Sequence, residues 1–290
     1  MHVFPHPEFA NYELLDSGRG EKLERFGDYV LRRPDPQALW KPKLSSEAWS
    51  DADLRFVRES DRGGRWDGSA PKSWNVDLGK GACVRIQPTP FKHVGLFPEQ
   101  ASNWDYAEKQ RVVLAKQGIE QPRLLNLFGY TGAATILAAR AGWAVTHCDA
   151  SRASMDWAAE NAQRSGLDEK AVRWMLEDAA KFAAREQRRG KTYHGILLDP
   201  PHYGRGPKGE KWQFETDIAP LLTSCQGLLD EMAGSFLVLS TYAIGYSPLA
   251  FSNMLQEFPS VTVETGELAL PEKGNERFLP CGFCARAVRV

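Results

Sequence analysis

From Arg123 onward, short apolar runs alternate with stretches of helical character, and that alternation admits few folds. The runs at 123–128, 144–148, 172–176, 195–198 and 236–240 read as strands, with helices such as 132–141 and 151–165 between them. Within 151–165, Ala153, Trp157, Ala158 and Ala162 share one helical face, as packing on a sheet requires. Strands joined by helices build right-handed βαβ units, so this part of the chain predicts an α/β fold with a parallel sheet. The tail breaks the rhythm. Residues 261–270 and 278–290 read as two long strands joined by a polar loop, an antiparallel hairpin that closes the sheet. A helix is also expected over 101–118, stopped by Gly118.

The first third of the chain differs. Turn residues such as Gly18, Gly20, Pro34, Pro36, Gly63, Gly64, Gly79 and Gly81 separate short alternating runs, which predicts a small β-rich N-terminal domain over 1–94 ahead of a larger domain over 95–290. Its tryptophans, Trp40, Trp49, Trp66 and Trp74, fit an aromatic core; the sharper alternative is an exposed platform for a substrate. The whole chain has 290 residues, 36 basic and 37 acidic side chains, and a net charge of −1. That balance excludes a globally basic nucleic-acid coat but leaves room for a local basic groove. No run of apolar residues is long enough for a membrane span. Met1-His2-Val3-Phe4-Pro5 lacks the marks of a signal peptide, and five cysteines are an odd, sparse set. A cytoplasmic, reducing location is expected.

In open α/β sheets, ligands bind outside the carboxyl ends of the strands, so the strand tips are where chemistry is sought. The first tip runs Phe128-Gly129-Tyr130-Thr131-Gly132 into a helix, where glycine permits a tight turn and helix N–H groups can receive an anion. No G-x-G-x-x-G is present. The second tip carries Asp149, 20 residues after Gly129, at the spacing of a ribose-binding carboxylate. The third carries Asp178, an acceptor for an amino group or a helix cap. The fourth, Asp199-Pro200-Pro201-His202-Tyr203, is the most specific: its prolines hold the chain extended and give no N–H, so Asp199 and the nearby carbonyls are poised to accept, and Tyr203 offers a face for stacking. The following 204–212 reads as a mobile loop with three cations, Arg205, Lys208 and Lys211, and one aromatic, Trp212, which suits a nucleic-acid contact. A second basic loop is expected at 185–191.

These segments, Leu125-Asn126-Leu127-Phe128-Gly129-Tyr130-Thr131-Gly132, Asp149-Ala150-Ser151, Asp178 and Asp199-Pro200-Pro201-His202-Tyr203-Gly204-Arg205-Gly206, together resemble the class I S-adenosylmethionine-dependent methyltransferases. More narrowly, they resemble the bacterial branch that contains the 23S rRNA cytosine-5 and guanine-7 methyltransferases. That branch carries a segment similar to His93-Val94-Gly95-Leu96-Phe97-Pro98-Glu99-Gln100 just before its catalytic domain. The resemblance covers about 93–290; residues 1–92 do not resemble the RNA-binding PUA module of some relatives. It implies a seven-stranded Rossmann-like sheet, S-adenosylmethionine as cofactor and an RNA substrate, ribosomal by analogy. By the same resemblance, Gly129, Tyr130 and Thr131 line the methionine end of the cofactor, Asp149 with Ala150 holds the ribose, and Asp178 with Ala179 the adenine. Asp199 and Pro200 form the transfer site beside Tyr203, and Phe97 and Gln100 add cofactor contacts. No metal is called for, because a sulfonium already makes its methyl group electrophilic.

Two departures bear on mechanism. Ala101 stands where relatives often place an arginine, and Ser240-Thr241-Tyr242 stands where the cytosine-5 enzymes have Ser-Cys-Ser. Methylating an aromatic carbon needs a covalent adduct, normally from a cysteine thiolate. The remaining candidates are Cys225, expected inside a helix, and Cys281 and Cys284, which a strand would point to opposite faces and so away from a shared zinc. The reading therefore leans to a nitrogen acceptor methylated by direct displacement, with cytosine-5 chemistry open. The competing readings are a methyltransferase for a small molecule or protein and, from another class, an NAD-dependent oxidoreductase.

Overall fold

The computed structural model describes residues 2–9, 11–60, 63–242 and 245–290. The chain opens with β1 (Tyr12–Gly18), β2 (Glu21–Phe26), β3 (Tyr29–Pro34), the short helix α1 (Ser46–Ser50), β4 (Leu54–Ser60) and β5 (Gly63–Gly68). These five strands make one sheet in sequence order, and the hairpin β6 (Trp74–Gly79) with β7 (Ala82–Ile86) follows. The indole N–H groups of Trp40, Trp49, Trp66 and Trp74 donate to Ser17 O, Asp16 Oδ2, Thr89 O and Phe26 O. None of the four rings is exposed, so the aromatic-core reading holds and the platform does not.

A 3₁₀ turn at Pro98–Gln100 leads into α2 (Ala101–Lys116). Then come β8 (Arg123–Leu127), α3 (Ala133–Arg140), β9 (Ala144–Asp149), α4 (Arg152–Arg164), β10 (Val172–Leu176), α5 (Ala179–Arg188) and β11 (Gly195–Leu198). The small hairpin β12 (Tyr203–Arg205) with β13 (Lys211–Gln213) precedes α6 (Phe214–Leu228), β14 (Phe236–Thr241), α7 (Pro248–Gln256), β15 (Val261–Pro271) and β16 (Phe278–Arg289). The main sheet has the order β10-β9-β8-β11-β14-β16-β15, parallel except for β16, so the tail hairpin closes it as expected. Every residue of β11 and β14 is buried, as central strands covered on both faces must be.

The chain leaves β8 for one side of the sheet and β11 lies on the other, with Leu127 in register with Leu198. Strand order reverses there, which opens a crevice at the carboxyl ends of β8 and β11. The N-terminal strands pack onto this frame. One apolar cluster takes in Leu14, Phe26, Val84 and Ile86 together with Ile136, Ala162, Leu270 and Leu279. Asn161 and Ser165 at the end of α4 accept the Arg85 and Cys83 N–H groups of β7. No helix among the described residues is long and apolar enough to cross a membrane.

Candidate active site

The turn after β8 is built under strain. Phe128 (φ 56°) and Tyr130 (φ 50°) flank Gly129 in the left-handed region, which costs a side-chain-bearing residue of order 1–3 kcal/mol. These positions do adopt the backbone a glycine would give. The strain is held in place from several directions. Gly129 N–H donates to Cys148 O at 3.1 Å, and Tyr130 N–H donates to Asp149 Oδ2 at 2.9 Å. The Thr131 hydroxyl donates to Gly95 O at 2.6 Å, which ties the turn to 93–100, while Asn161 Nδ2 donates to Thr131 O. Gly129 itself has no alternative, since a Cβ there would lie 2.4 Å from the His147 ring. That imidazole is kept neutral, its pKa lowered to about 3 by burial, and it bonds through Nδ1 to Thr135 Oγ1. Gly132 (φ 84°) then starts α3 with no side-chain cap, leaving first-turn N–H groups for a ligand.

At the tip of β9, Asp149 accepts from Tyr130 N at 2.9 Å and Ser151 N at 2.8 Å. Burial raises its pKa, and the backbone N–H groups pull it back down. Ser151 is the N-cap of α4, as its place after Ala150 suggests, so Asp149 is not needed for capping. Asp178, in contrast, is the N-cap of α5: Oδ1 accepts from Lys181 N at 3.0 Å.

At the tip of β11, Asp199 Oδ1 accepts from Ser240 Oγ of β14 at 3.0 Å. Gln100 Nε2 donates to that same hydroxyl at 3.0 Å, Asn103 Nδ2 donates to Gln100 Oε1 at 2.8 Å, and Arg286 of β16 donates to Asn103 Oδ1. A buried polar relay thus runs from β16 through α2 to the strand tip. Burial dominates at Asp199 and pushes its carboxyl up to about 7; the Ser240 hydrogen bond opposes this and Glu99 adds to it. The Pro200–Pro201 segment is held by Trp212, whose Nε1–H donates to Pro201 O at 2.7 Å and whose ring lies 4.9 Å from Phe128.

Two chambers meet here. The larger, about 510 Å³, is lined by Asp149, Ala150, Asp178, Ala179, Asp199 and Pro200 among others, and the smaller, about 70 Å³, by Gly129 and Thr131. Phe97, Gln100, Phe128, Tyr130 and Asp199 line both. Eleven of the twelve site residues named from the sequence therefore face one continuous space; Tyr203 does not. Its strand begins a hairpin that turns the ring outward, 64% exposed and 4.1 Å from the His202 imidazole. Segment 204–212 is likewise no open loop: it forms β12 and β13, and Trp212 is buried beneath Pro201. The basic stretch at 185–191 is half helix, with Arg185 paired to Glu177. Because α5 runs back toward the start of β11, residues 188–191 lie at the opposite end of the sheet from the cavity. The cavity also takes in Glu99, Tyr242 and Cys281, none of which was named as a site residue from the sequence.

No protein-family model matches the chain. A solved S-adenosylmethionine-dependent methyltransferase from Agrobacterium tumefaciens is 36% identical, with a TM-score of 0.93 over 100% of this chain and 94% of that one. The chain belongs to the S-adenosylmethionine-dependent methyltransferases. A second structure, described as a methyltransferase complexed with S-adenosylhomocysteine, is 17% identical with a TM-score of 0.71 and shares the fold. Among curated proteins, ribosomal RNA large subunit methyltransferase K/L of Methylococcus capsulatus is 32% identical over 130 residues, and methyltransferase K of Neisseria meningitidis is 30% identical over 137. Those matches span 17% and 35% of the relatives' own lengths, and 44% and 47% of this chain.

The methyltransferase site fits the family's cofactor. Acceptors stand at three strand tips, a cradle at Gly129 admits no Cβ, and helix N–H groups lie open beside it. Aromatic rings of Phe97 and Tyr130, 5.4 Å apart, flank the join between the chambers. Among the described residues, no group of three or more His, Cys, Asp or Glu is placed to hold a metal ion.

Proposed function

We propose that this methyltransferase acts on a nitrogen of an RNA base, ribosomal by the names of its curated relatives, and works in the cytoplasm. The Asp149–Asp178 end of the larger chamber would take the adenosine half of the cofactor, with Asp149 and Ala150 on the ribose and Ala179 and the free oxygen of Asp178 on the adenine edge, leaving the end beside Glu99, Asp199 and Tyr242 for the acceptor. Gly129, Tyr130 and Thr131 would flank the methionine half in the smaller chamber, near the open start of α3, with Phe97 and Gln100 across from them. When bound, S-adenosylmethionine supplies an electrophilic methyl group on a sulfonium.

The observation that carries the nitrogen reading is the pairing at the tip of β11 of an acceptor-rich Asp199-Pro200-Pro201 with no reactive thiol. Of the cavity-lining residues described, Cys281 is the cysteine, and it is buried with its Sγ donating to Leu279 O. Burial pushes that thiol well above its ordinary range, so a thiolate for carbon methylation is lacking. A nitrogen needs only position: Asp199, with Ser240 on Oδ1, accepts an N–H through its other oxygen and aims the lone pair at the methyl carbon. That nitrogen would take the methyl group of the bound sulfonium and leave the C–S electron pair on sulfur. The displaced proton passes to Asp199, whose carboxyl near 7 can hold and then release it.

The RNA reading draws further support from the cavity rim. Tyr203 points outward beside the tilted His202 ring, and Arg205, Lys208 and Lys211 are exposed around it. The test has two stages. Calorimetry with S-adenosylhomocysteine, with NAD as control, is expected to show binding of the first alone; NAD binding alone would restore the dehydrogenase reading. Transfer of a labelled methyl group to an unmodified large-subunit rRNA transcript is then expected, with RNA affinity falling steeply as salt rises. Labelling of small molecules or protein and not of the transcript would reassign the substrate.

A further inference from the structure

Glu99 sits in the 3₁₀ turn between the N-terminal region and α2, inside the 93–100 segment but without a role assigned to it there. It is 7% exposed and lines the larger chamber on the Asp199 side. A buried carboxyl normally finds a partner, yet among the described residues no other gives Glu99 a hydrogen bond or an ion pair within 4 Å; it takes only its own backbone N–H. The nearest cations are already spent. Lys22 sits between Glu24 and Asp35 at 3.6 and 3.4 Å, and Arg33 binds Glu24 at 2.6 Å, with the Tyr12 hydroxyl on the same carboxylate at 2.9 Å. The N-terminal sheet thus commits its nearby cations to Glu24 and Asp35, and Glu99 is left lining the cavity without one of its own. Burial accordingly raises its pKa.

Resting on the nitrogen-acceptor reading above, we propose that Glu99 is a second acceptor-binding carboxyl. It takes a hydrogen bond from an N–H of the base while Asp199 takes the one on the nitrogen being methylated. Two acceptors facing one cavity select a base with two N–H donors, such as an exocyclic amino group or an amino group beside a ring N–H, and disfavour uracil at the amino position. The N-terminal region then has a part in specificity, because its ion cluster keeps Glu99 unpaired.

The test compares the wild type with Glu99→Gln, and with Glu99→Asp should the first variant fail to fold. Three readouts are used: S-adenosylhomocysteine calorimetry, labelled methyl transfer to the unmodified transcript, and saturation-transfer NMR of cytidine, guanosine, adenosine and uridine on protein saturated with S-adenosylhomocysteine. Cofactor-product affinity is expected to stay within about twofold while transfer falls about 10- to 100-fold, the range for losing a hydrogen bond to a charged group. The wild type is expected to favour an amino-bearing nucleoside over uridine, and the variant to lose that preference. Parallel loss of S-adenosylhomocysteine affinity would assign Glu99 to the cofactor and overturn the proposal, as would an unchanged nucleoside preference. If the wild type methylates no RNA, the substrate reading fails by itself. The nucleoside measurement then decides Glu99: a preference lost in the variant sustains it, and no preference in the wild type overturns it.

Discussion

Asp149 and Asp199 occupy equivalent places, each one residue past or at the end of a central parallel strand, yet the fold prepares them for different work. Asp149 has both oxygens met by backbone N–H groups from its own neighbourhood, which work against the rise that burial imposes on its carboxyl. Asp199 is met by side chains, the Ser240 hydroxyl from the next strand and the Gln100 amide, but burial outweighs them and its carboxyl is held near 7. Several backbone donors offset more of the cost of burying a carboxylate than one or two side chains in a dry crevice do, so the rise to about 7 is seen at Asp199. The first suits holding a ligand through many turnovers, the second suits a proton that must come and go.

The largest effect expected to probe that contrast is Asp199→Asn, which keeps shape but removes the proton acceptor. Methyl transfer should fall by ~100- to 1000-fold with S-adenosylhomocysteine affinity nearly unchanged. Equal losses in both measurements would erase the distinction between the two carboxyls. Asp149→Ala should do the converse, weakening S-adenosylhomocysteine by about 10- to 100-fold in calorimetry, the scale of a charged hydrogen-bond pair lost from a ribose.

The pH dependence separates the two carboxyls next. If Asp199 must be ionised to accept, kcat/KM should rise about tenfold per pH unit below about 7 and level off above it, and Asp199→Asn should flatten that limb. Stability should move the other way. A carboxyl raised in the folded state binds more protons there than in the unfolded chain. Its contribution is complete below the ordinary aspartate range and is lost as pH rises through about 7. At pH 8 the ligand-free Asp199→Asn protein should therefore be more stable than the wild type, by ~1–2 kcal/mol in denaturant titration. The smallest change comes from Ser240→Ala. It removes the donor that favours the ionised form, so the rising limb should shift to higher pH by roughly half to one unit, with a loss of only a few-fold at pH 8.

How much of this was legible beforehand follows the range of the interactions involved. The sheet, its closing hairpin and the strand tips could be read because strand–helix periodicity and Asp-Pro-Pro are written in consecutive residues. The turn at Phe128-Gly129-Tyr130 was readable as a turn. That both aromatic residues would accept left-handed backbone was not, because the bonds that hold them reach to Gly95, Cys148 and Asp149. Tyr203 was misplaced for a related reason: a stacking residue can be named from its type, but which way it points is set by the hairpin pairing of Tyr203 with Gln213. Trp212, expected in an open contact loop, is drawn under Pro201 by its own N–H.

By itself, then, the order of residues determined an α/β frame with a closing hairpin and where its acceptors stand, since a strand tip and the few residues after it are set by local periodicity and by proline and glycine geometry. Only the tertiary structure decided what those acceptors are chemically. Gln100, Ser240 and Asp199 are separated by 140 and 41 residues along the chain, and they meet because β14 lies beside β11 and the 3₁₀ turn ends over both. The carboxyl near 7 at Asp199 and the raised one at Glu99 both come chiefly from desolvation, which depends on everything packed around a group and on nothing written next to it.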